Sequence, residues 1–493
     1  MLDNEKAPHF RPKRTHYFVG SLLGGIALLA LALWSVQGLS TASVYAQDQK
    51  QGDVVVQLDD HALNVRPIAF TGSISGIKAL ALTGLDVITS DTKFGAQVCS
   101  IAGVGCPATD CFCNPQKFWA YSYWDGSAWQ EYQVGASGSV ISRTGAIEGW
   151  RWGEFGSPQI PATQATAALS ALNWLQARQV ITNGSYNSNA GASVETALAI
   201  GANGTNAASW RRQPTSATLA DFLAVSGPNY ANKAVAAAGK LAVATSATNS
   251  CWPLGALTPA AFYSPTLGAF SKESGPNAWA ILGSLALSQS VPSQAVQTLK
   301  SAALPVGGWE WSPGWGADTN ATALAMQALI ATGESISSAK IISGLNFLKT
   351  AQNNDGGFAY DPQAKSRASD TNSTSYVVQA LIAANQDLTS NRWTISNTNP
   401  ITYLQQMQLA DGSLIWQSGT ATNQLSTQQA IPALLGRAYA LAGKKERTQA
   451  MLPALLQHAQ RGNLDPEITG LTYAALGDKD KAFEWLEKAF QSH

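Results

Sequence analysis

One phrase occurs twice in this chain. Residues 318–331 read DTNATALAMQALIA, and 52 residues later 370–383 read DTNSTSYVVQALIA, with nine of the fourteen positions identical. A fainter copy, NQLSTQQAIPAL, begins at Asn423, a further 53 residues on. A Gly-rich aromatic turn stands ahead of each: GGWEWSPGW at 307–315, NDGGFAYD at 354–361 and ADGSLIW at 410–416. Self-similarity at a period near 50 implies units that bury their apolar faces only by stacking on one another.

Each unit reads as a pair of helices. Asp, Ser or Thr ahead of an Ala/Leu-rich run is a helix start, because a short polar side chain caps the first-turn N–H groups and Ala and Leu have high helix propensity. A second amphipathic stretch precedes each Gly-rich turn, as at 338–352 (SAKIISGLNFLKTAQ) and 401–408 (ITYLQQMQ). Weaker copies occur at 162–178 with 193–200, and at 275–287. Five or six hairpins over 160–435 would close a ring of inner helices within a ring of outer ones.

The succession of a helix, the turn Q-N-x-D-G-G-F and then D-T-N-S-T-x-x-x-x-Q-A-L resembles the prenyltransferase and squalene-cyclase repeat. That resemblance implies an α/α toroid. Its superfamily includes terpene cyclases, zinc-dependent protein prenyltransferase subunits and the cobalamin carriers transcobalamin and intrinsic factor.

Ahead of the toroid, a charge-free stretch at 17–47 follows Lys6, Arg11, Lys13 and Arg14. This is an export leader. Val44-Tyr45-Ala46 suits cleavage, while the apolar run at 17–36 has the length of a membrane anchor; either outcome puts the rest outside the cytoplasm. From 50 to 156 short strand-like runs (53–58, 76–83, 94–101 and 139–142) are divided by Gly, Pro, Asn and Asp, which predicts a small β-rich domain. Its aromatic-rich second half resembles the β-domain of the cobalamin carriers and related bacterial surface proteins, through Cys99, Ile101, Trp119, Tyr121, Trp129, Gly149 and Trp150. Domain order is reversed relative to the animal carriers. Cys99, Cys106, Cys111 and Cys113 predict two disulfides, with three connectivities open. The rival, a thiolate metal site, lacks the paired C-x-x-C of zinc ribbons. Cys251 is left over. In the tail, 436–493, Gly436, Tyr439 and Gly443 recur 34 residues later as Gly470, Tyr473 and Gly477, and the second copy resembles a tetratricopeptide repeat. This tail caps the toroid or docks a partner such as a membrane importer or surface protein.

The composition narrows the function. Lys+Arg and Asp+Glu number 31 each, and charged residues are 13% of the chain, so the basic footprint of nucleic-acid binding is missing. No histidine lies between 62 and 457, which removes the ligand set of the zinc prenyltransferases, and no D-x-D occurs in 156–435 to serve as a cyclase acid. Glu195, Glu310, Asp318 and Asp370 are scattered carboxylates with no spacing that marks a catalytic pair. The expected site is therefore the ring's mouth, where Asp318, Asn320, Asp370 and Asn372 would stand beside Trp309, Trp311, Trp315, Phe358, Tyr360 and Trp416, with Trp119, Tyr121 and Trp150 facing it from the β-domain. Rigid aromatics with a few amides and carboxylates suit a bulky ligand that also hydrogen-bonds. The competing reading makes the acids helix caps and the aromatics plugs. The expectation is a non-catalytic binding protein that needs no cofactor. The carrier resemblance implies a corrinoid as its ligand. A cyclase-like enzyme and a structural surface module are the alternatives.

Overall fold

Val54, Val55 and Val56 sit side by side in strand β1 (Gln49–Gln57), and all three are fully buried. Val54 and Val56 face a core shared with Ile68, Phe70, Leu80 and Trp150, while Val55 faces the toroid's core with Leu63 and Val65. A strand covered on both faces needs such an unbroken apolar run. The computed structural model describes residues 49–58, 63–93, 95–156, 158, 160–250 and 258–438, with 484, 485 and 487. The leader, Cys251 and nearly all of the tail lie outside the described residues.

After β1 come β2 (Leu63–Thr71), α1 (Gly76–Leu82), β3 (Val87–Thr92), β4 (Gly95–Ile101), β5 (Val104–Gly105), β6 (Phe118–Trp124), β7 (Trp129–Glu131) and β8 (Ala146–Gly153). They form a five-stranded sheet in the order β2-β1-β8-β6-β7 and a three-stranded sheet β3-β4-β5. Among the described strands, only β1 and β8 pair in parallel. The disulfides join Cys99 to Cys111 and Cys106 to Cys113. Two strand expectations fail. The run at 76–83 is helix α1, because Ser75 accepts a hydrogen bond from the Lys78 N–H and Ala79 and Leu80 face the core. A short apolar run cannot by itself separate strand from buried helix, and here the cap decides. Around 139–142 a single bridge, Ile141 to Ile74, replaces a strand.

The toroid begins at α2 (Ala162–Arg178) and continues through α3 (Ala190–Ala202), α4 (Leu219–Ala231), α5 (Val235–Ala247), α6 (Ser274–Ala286), α7 (Ser293–Ser301), α8 (Thr319–Ala331), α9 (Ala339–Ala351), α10 (Thr371–Ala383), α11 (Pro400–Gln406) and α12 (Gln424–Leu434). Helices α3, α5, α6, α8, α10 and α12 touch in that cyclic order, and α12 closes back on α3. Helices α2, α4, α7, α9 and α11 pack outside them.

The repeat is held by recurring bonds. The N–H groups of Tyr186, Trp309, Phe358 and Leu414 each donate to a Ser or Thr hydroxyl in the first turn of the following inner helix (Ser193, Thr322, Thr374 and Thr427), at 2.8–3.0 Å. A glutamine closing an outer helix clamps the Gly-turn: Gln352 donates to the Gly356 and Trp393 carbonyls, and Gln408 to those of Gly412 and Ala167. At the α5–α6 joint, a Cβ on Gly239 would lie 2.2 Å from the Trp279 carbonyl oxygen, so only glycine lets these helices approach so closely.

Candidate functional site

The β-domain docks on the C-terminal ends of the inner helices. β2 is an edge strand, and its exposed backbone groups need partners. The Leu63 N–H donates to the Leu435 carbonyl just past α12, and both backbone groups of Val65 bond the side chain of Asn203, the C-cap of α3. Beside this seam lies a cleft of about 670 Å³. Its β-domain wall includes Leu58, Asn64, Arg66, Leu85 and Val104; its toroid wall includes Leu198, Thr205, Val243, Thr248 and Arg437. That volume falls in the range of small-molecule sites, and the mixture of apolar surface with a few polar groups is typical of them.

The β-domain wall is firmly supported. Ala102 and Gly103 make a tight turn with positive φ (51° and 80°) between β4 and β5. The Trp119 indole donates to the Val104 carbonyl from behind. Both disulfides tie the segment that follows back to β4 or to itself. Within the wall, burial pulls the Arg66 guanidinium down to about 10.

A second polar cluster fills the ring's middle. The sixth residues of the inner helices are Glu195, Lys240, Trp279, Leu324, Tyr376 and Gln429. Glu195 pairs with Lys240 and accepts from Gln429; Lys240 also bonds Tyr376 and lies 5.2 Å from the centre of the Trp279 ring. Burial pulls Lys240 down, but Glu195, with Tyr376 and Tyr230, holds it above its ordinary value. Because α5 and α10 face each other across the ring, the Lys240–Tyr376 contact spans the lumen.

The expected mouth residues lie at the opposite end from the cleft, at the N-termini of the inner helices. Asp318 caps α8, with Oδ1 accepting from the Ala321 N–H at 2.7 Å and Oδ2 from Trp311 at 3.1 Å. Tyr360 from the next turn also bonds it, and burial raises its carboxyl to about 6. Asp370 caps α10 in the same way, with Trp416 as its partner, and burial raises it too. Asn372 bonds Gln429 and Ser426. Asn320 is half-buried. Trp309 and Phe358 are fully buried plugs, and Trp311 packs over Gly275. Trp315, Tyr360 and Trp416 remain exposed on the rim. In the β-domain, Trp150 is buried in the core and Tyr121 donates to Glu148 beneath the stacked ring of Tyr132. The structure thus brings none of the expected ligand contacts into the cleft directly; Trp119 supports its wall.

Sequence reasoning passed over Asn64, Arg66, Asn203 and Arg437, which are isolated polar residues without a motif. The central layer carried a signal: counting six residues from each inner-helix cap gives glutamate, lysine, tyrosine and glutamine where a core position should be apolar.

The chain is an α/α-toroid protein with an amino-terminal β-domain. Residues 276–441 match the family model described as the prenyltransferase alpha-alpha toroid domain. No curated protein matches the chain. Among solved structures, the type II terpene cyclase MstE from Scytonema in its apo form is similar at 12% identity, over 56% of this chain and 98% of that one, with a TM-score of 0.40. A substituted form of that cyclase in complex with geranylgeranyl dihydroxybenzoate is similar at 12% identity, over 56% and 97%, with a TM-score of 0.38.

Proposed function

We propose that this chain is a non-catalytic binding protein, exported or membrane-tethered, that holds a bulky organic ligand between its β-domain and its toroid. The observation that carries this reading is the cleft of about 670 Å³ walled by both. Its walls are braced by disulfides and by an edge strand bonded to helix ends, so the site is largely pre-formed and its ordering cost on binding is small. A corrinoid is the ligand that the carrier resemblance implies, and the carboxy-terminal tail would hand the complex to an importer or surface protein. Calorimetric titration of the full chain with cobalamin and with cobinamide tests the ligand. Saturable heat at micromolar ligand is expected; its absence at tens of micromolar protein, with the disulfides intact, removes the corrinoid.

The second reading is a cyclase-like enzyme working in the toroid, and the family match over 276–441 favours it. Its acid would be Asp318, a buried carboxyl raised to about 6. Against this, both Asp318 oxygens already accept backbone N–H bonds, and Lys240 and Tyr376 bridge the lumen. Incubation with a polyprenylated substrate decides it: a cyclised product that disappears in Asp318→Asn would establish the enzyme.

A further inference from the structure

Among the described residues, Arg66 is a charge without a counter-charge. It pairs across the ladder with Val54, so it stands on the β-domain face of β2, where it lines the cleft. Its bond is from Nη1 to its own Val65 carbonyl, at 3.0 Å, and among the described residues no carboxylate pairs with it. Desolvation is the cause of its depressed pKa. A second guanidinium, Arg437, stands on the same cleft and donates to Asn64 Oδ1 at 3.3 Å. The acidic side chain on the lining is Asp86, which is exposed.

Keeping a desolvated guanidinium unpaired is unfavourable, and a planar fork of N–H donors matches the oxygens of an oxyanion. We infer that the cleft's ligand carries an anionic oxygen group, a carboxylate, phosphate or sulfonate, which docks on Arg66 while its apolar body lies against Leu85, Val104 and Val243. This rests on the cleft being the binding site and specifies what it takes. The body is amphipathic: an acid head at the β-domain wall and a hydrophobic or hydroxylated part along the toroid wall.

Two fluorescent probes with one aromatic body test this. 8-Anilinonaphthalene-1-sulfonate has the oxyanion, and N-phenyl-1-naphthylamine lacks it. Both are titrated into the full-length chain, with Ser209→Trp as the blank for probe held elsewhere, since Ser209 is an exposed residue on the cleft's lining. The expected result is cleft binding of the sulfonate about tenfold or more tighter than of the amine, a charge-assisted bond being the difference. Arg66→Met should bring the two to parity with unchanged circular dichroism and melting, and Arg66→Lys should keep part of the preference. Equal binding of both probes to wild type, or an unchanged preference in a folded Arg66→Met, overturns the anionic head and leaves the cleft standing. If neither probe distinguishes wild type from Ser209→Trp, the cleft reading falls and this inference with it.

Discussion

Asn203 bonds the backbone of Val65 at both ends of its side-chain amide: Oδ1 accepts from the Val65 N–H at 2.8 Å, and Nδ2 donates to the Val65 carbonyl at 3.0 Å. The two residues are 138 apart in sequence, and their pairing completes the edge of the β-domain's sheet with the end of a toroid helix. An edge that would otherwise template aggregation becomes an interdomain seam.

Replacing Asn203 by Leu leaves two buried backbone groups without partners. At about 1–3 kcal/mol for each orphaned group, the loss should be roughly 2–6 kcal/mol. Urea unfolding of the full chain should show it, with faster proteolysis between the β-domain and α2 at low urea. A variant as stable and as protease-resistant as wild type would mean that the seam is held elsewhere.

The central layer makes a sharper prediction. Lys240→Met or Glu195→Leu alone strands a charge inside the ring, and breaking such a buried pair costs about 3–5 kcal/mol. The double substitution leaves no charge behind and should recover most of the loss. The double-mutant cycle therefore shows strong coupling between α3 and α5. Additive single effects would show that water, not the partner, satisfies each group.

Gly239→Ala tests the tightest helix contact. A methyl 2.2 Å from the Trp279 carbonyl oxygen must push α5 and α6 apart, because the obstructing atom is backbone. Overpacking of this kind costs about 1–3 kcal/mol, and rigid backbone puts it at the upper end. Gly191→Ala, whose nearest neighbour would be 3.2 Å away, serves as the control and should fall well below it. Thermal melting distinguishes them.

The toroid was legible because its repeat writes the same local rules several times. A cap, an Ala/Leu run and a Gly-aromatic turn agree at 318 and 370, and helices α2, α6, α8, α9 and α10 fall within a residue or two of their expected limits. The α4–α5 pair was not legible: the link after Ala231 is short and has no aromatic turn, and Ala234 offers no side-chain cap. Helix α1 was missed because a seven-residue apolar run has the same composition in either state. The site was least legible. Arg66 and Asn203 acquire their roles only when β2 meets the end of α3, a long-range juxtaposition that no local pattern encodes. The doubled Asp-Thr-Asn phrase is conspicuous for the opposite reason: it caps α8 and α10 as Asn189 and Asn423 cap α3 and α12, whatever the ring binds.

That cap gives the fold a pH dependence of definite sign. Burial raises the Asp318 carboxyl from 3.8 to about 6 in the folded chain, outweighing the N–H bonds from Ala321 and Trp311. Between those values the folded state holds a proton that the unfolded state has released. The stabilising contribution is complete below pH 3.8 and is lost as pH rises through about 6. The shift of 6 − 3.8 = 2.2 units corresponds to about 3 kcal/mol at most. Asp370, also raised, acts in the same direction, whereas Asp221, Glu334 and Asp411, all lowered by hydrogen bonds, act in the opposite one. The wild-type profile alone therefore mixes both signs, and the difference from Asp318→Asn isolates this residue. Asparagine still caps the helix but cannot ionise. Wild type minus variant stability, from urea midpoints, should be larger at pH 4 than at pH 7.5 by up to that amount. A difference that grows with pH instead would mean that the carboxylate's N–H bonds outweigh its burial, with the ionised cap as the stable form.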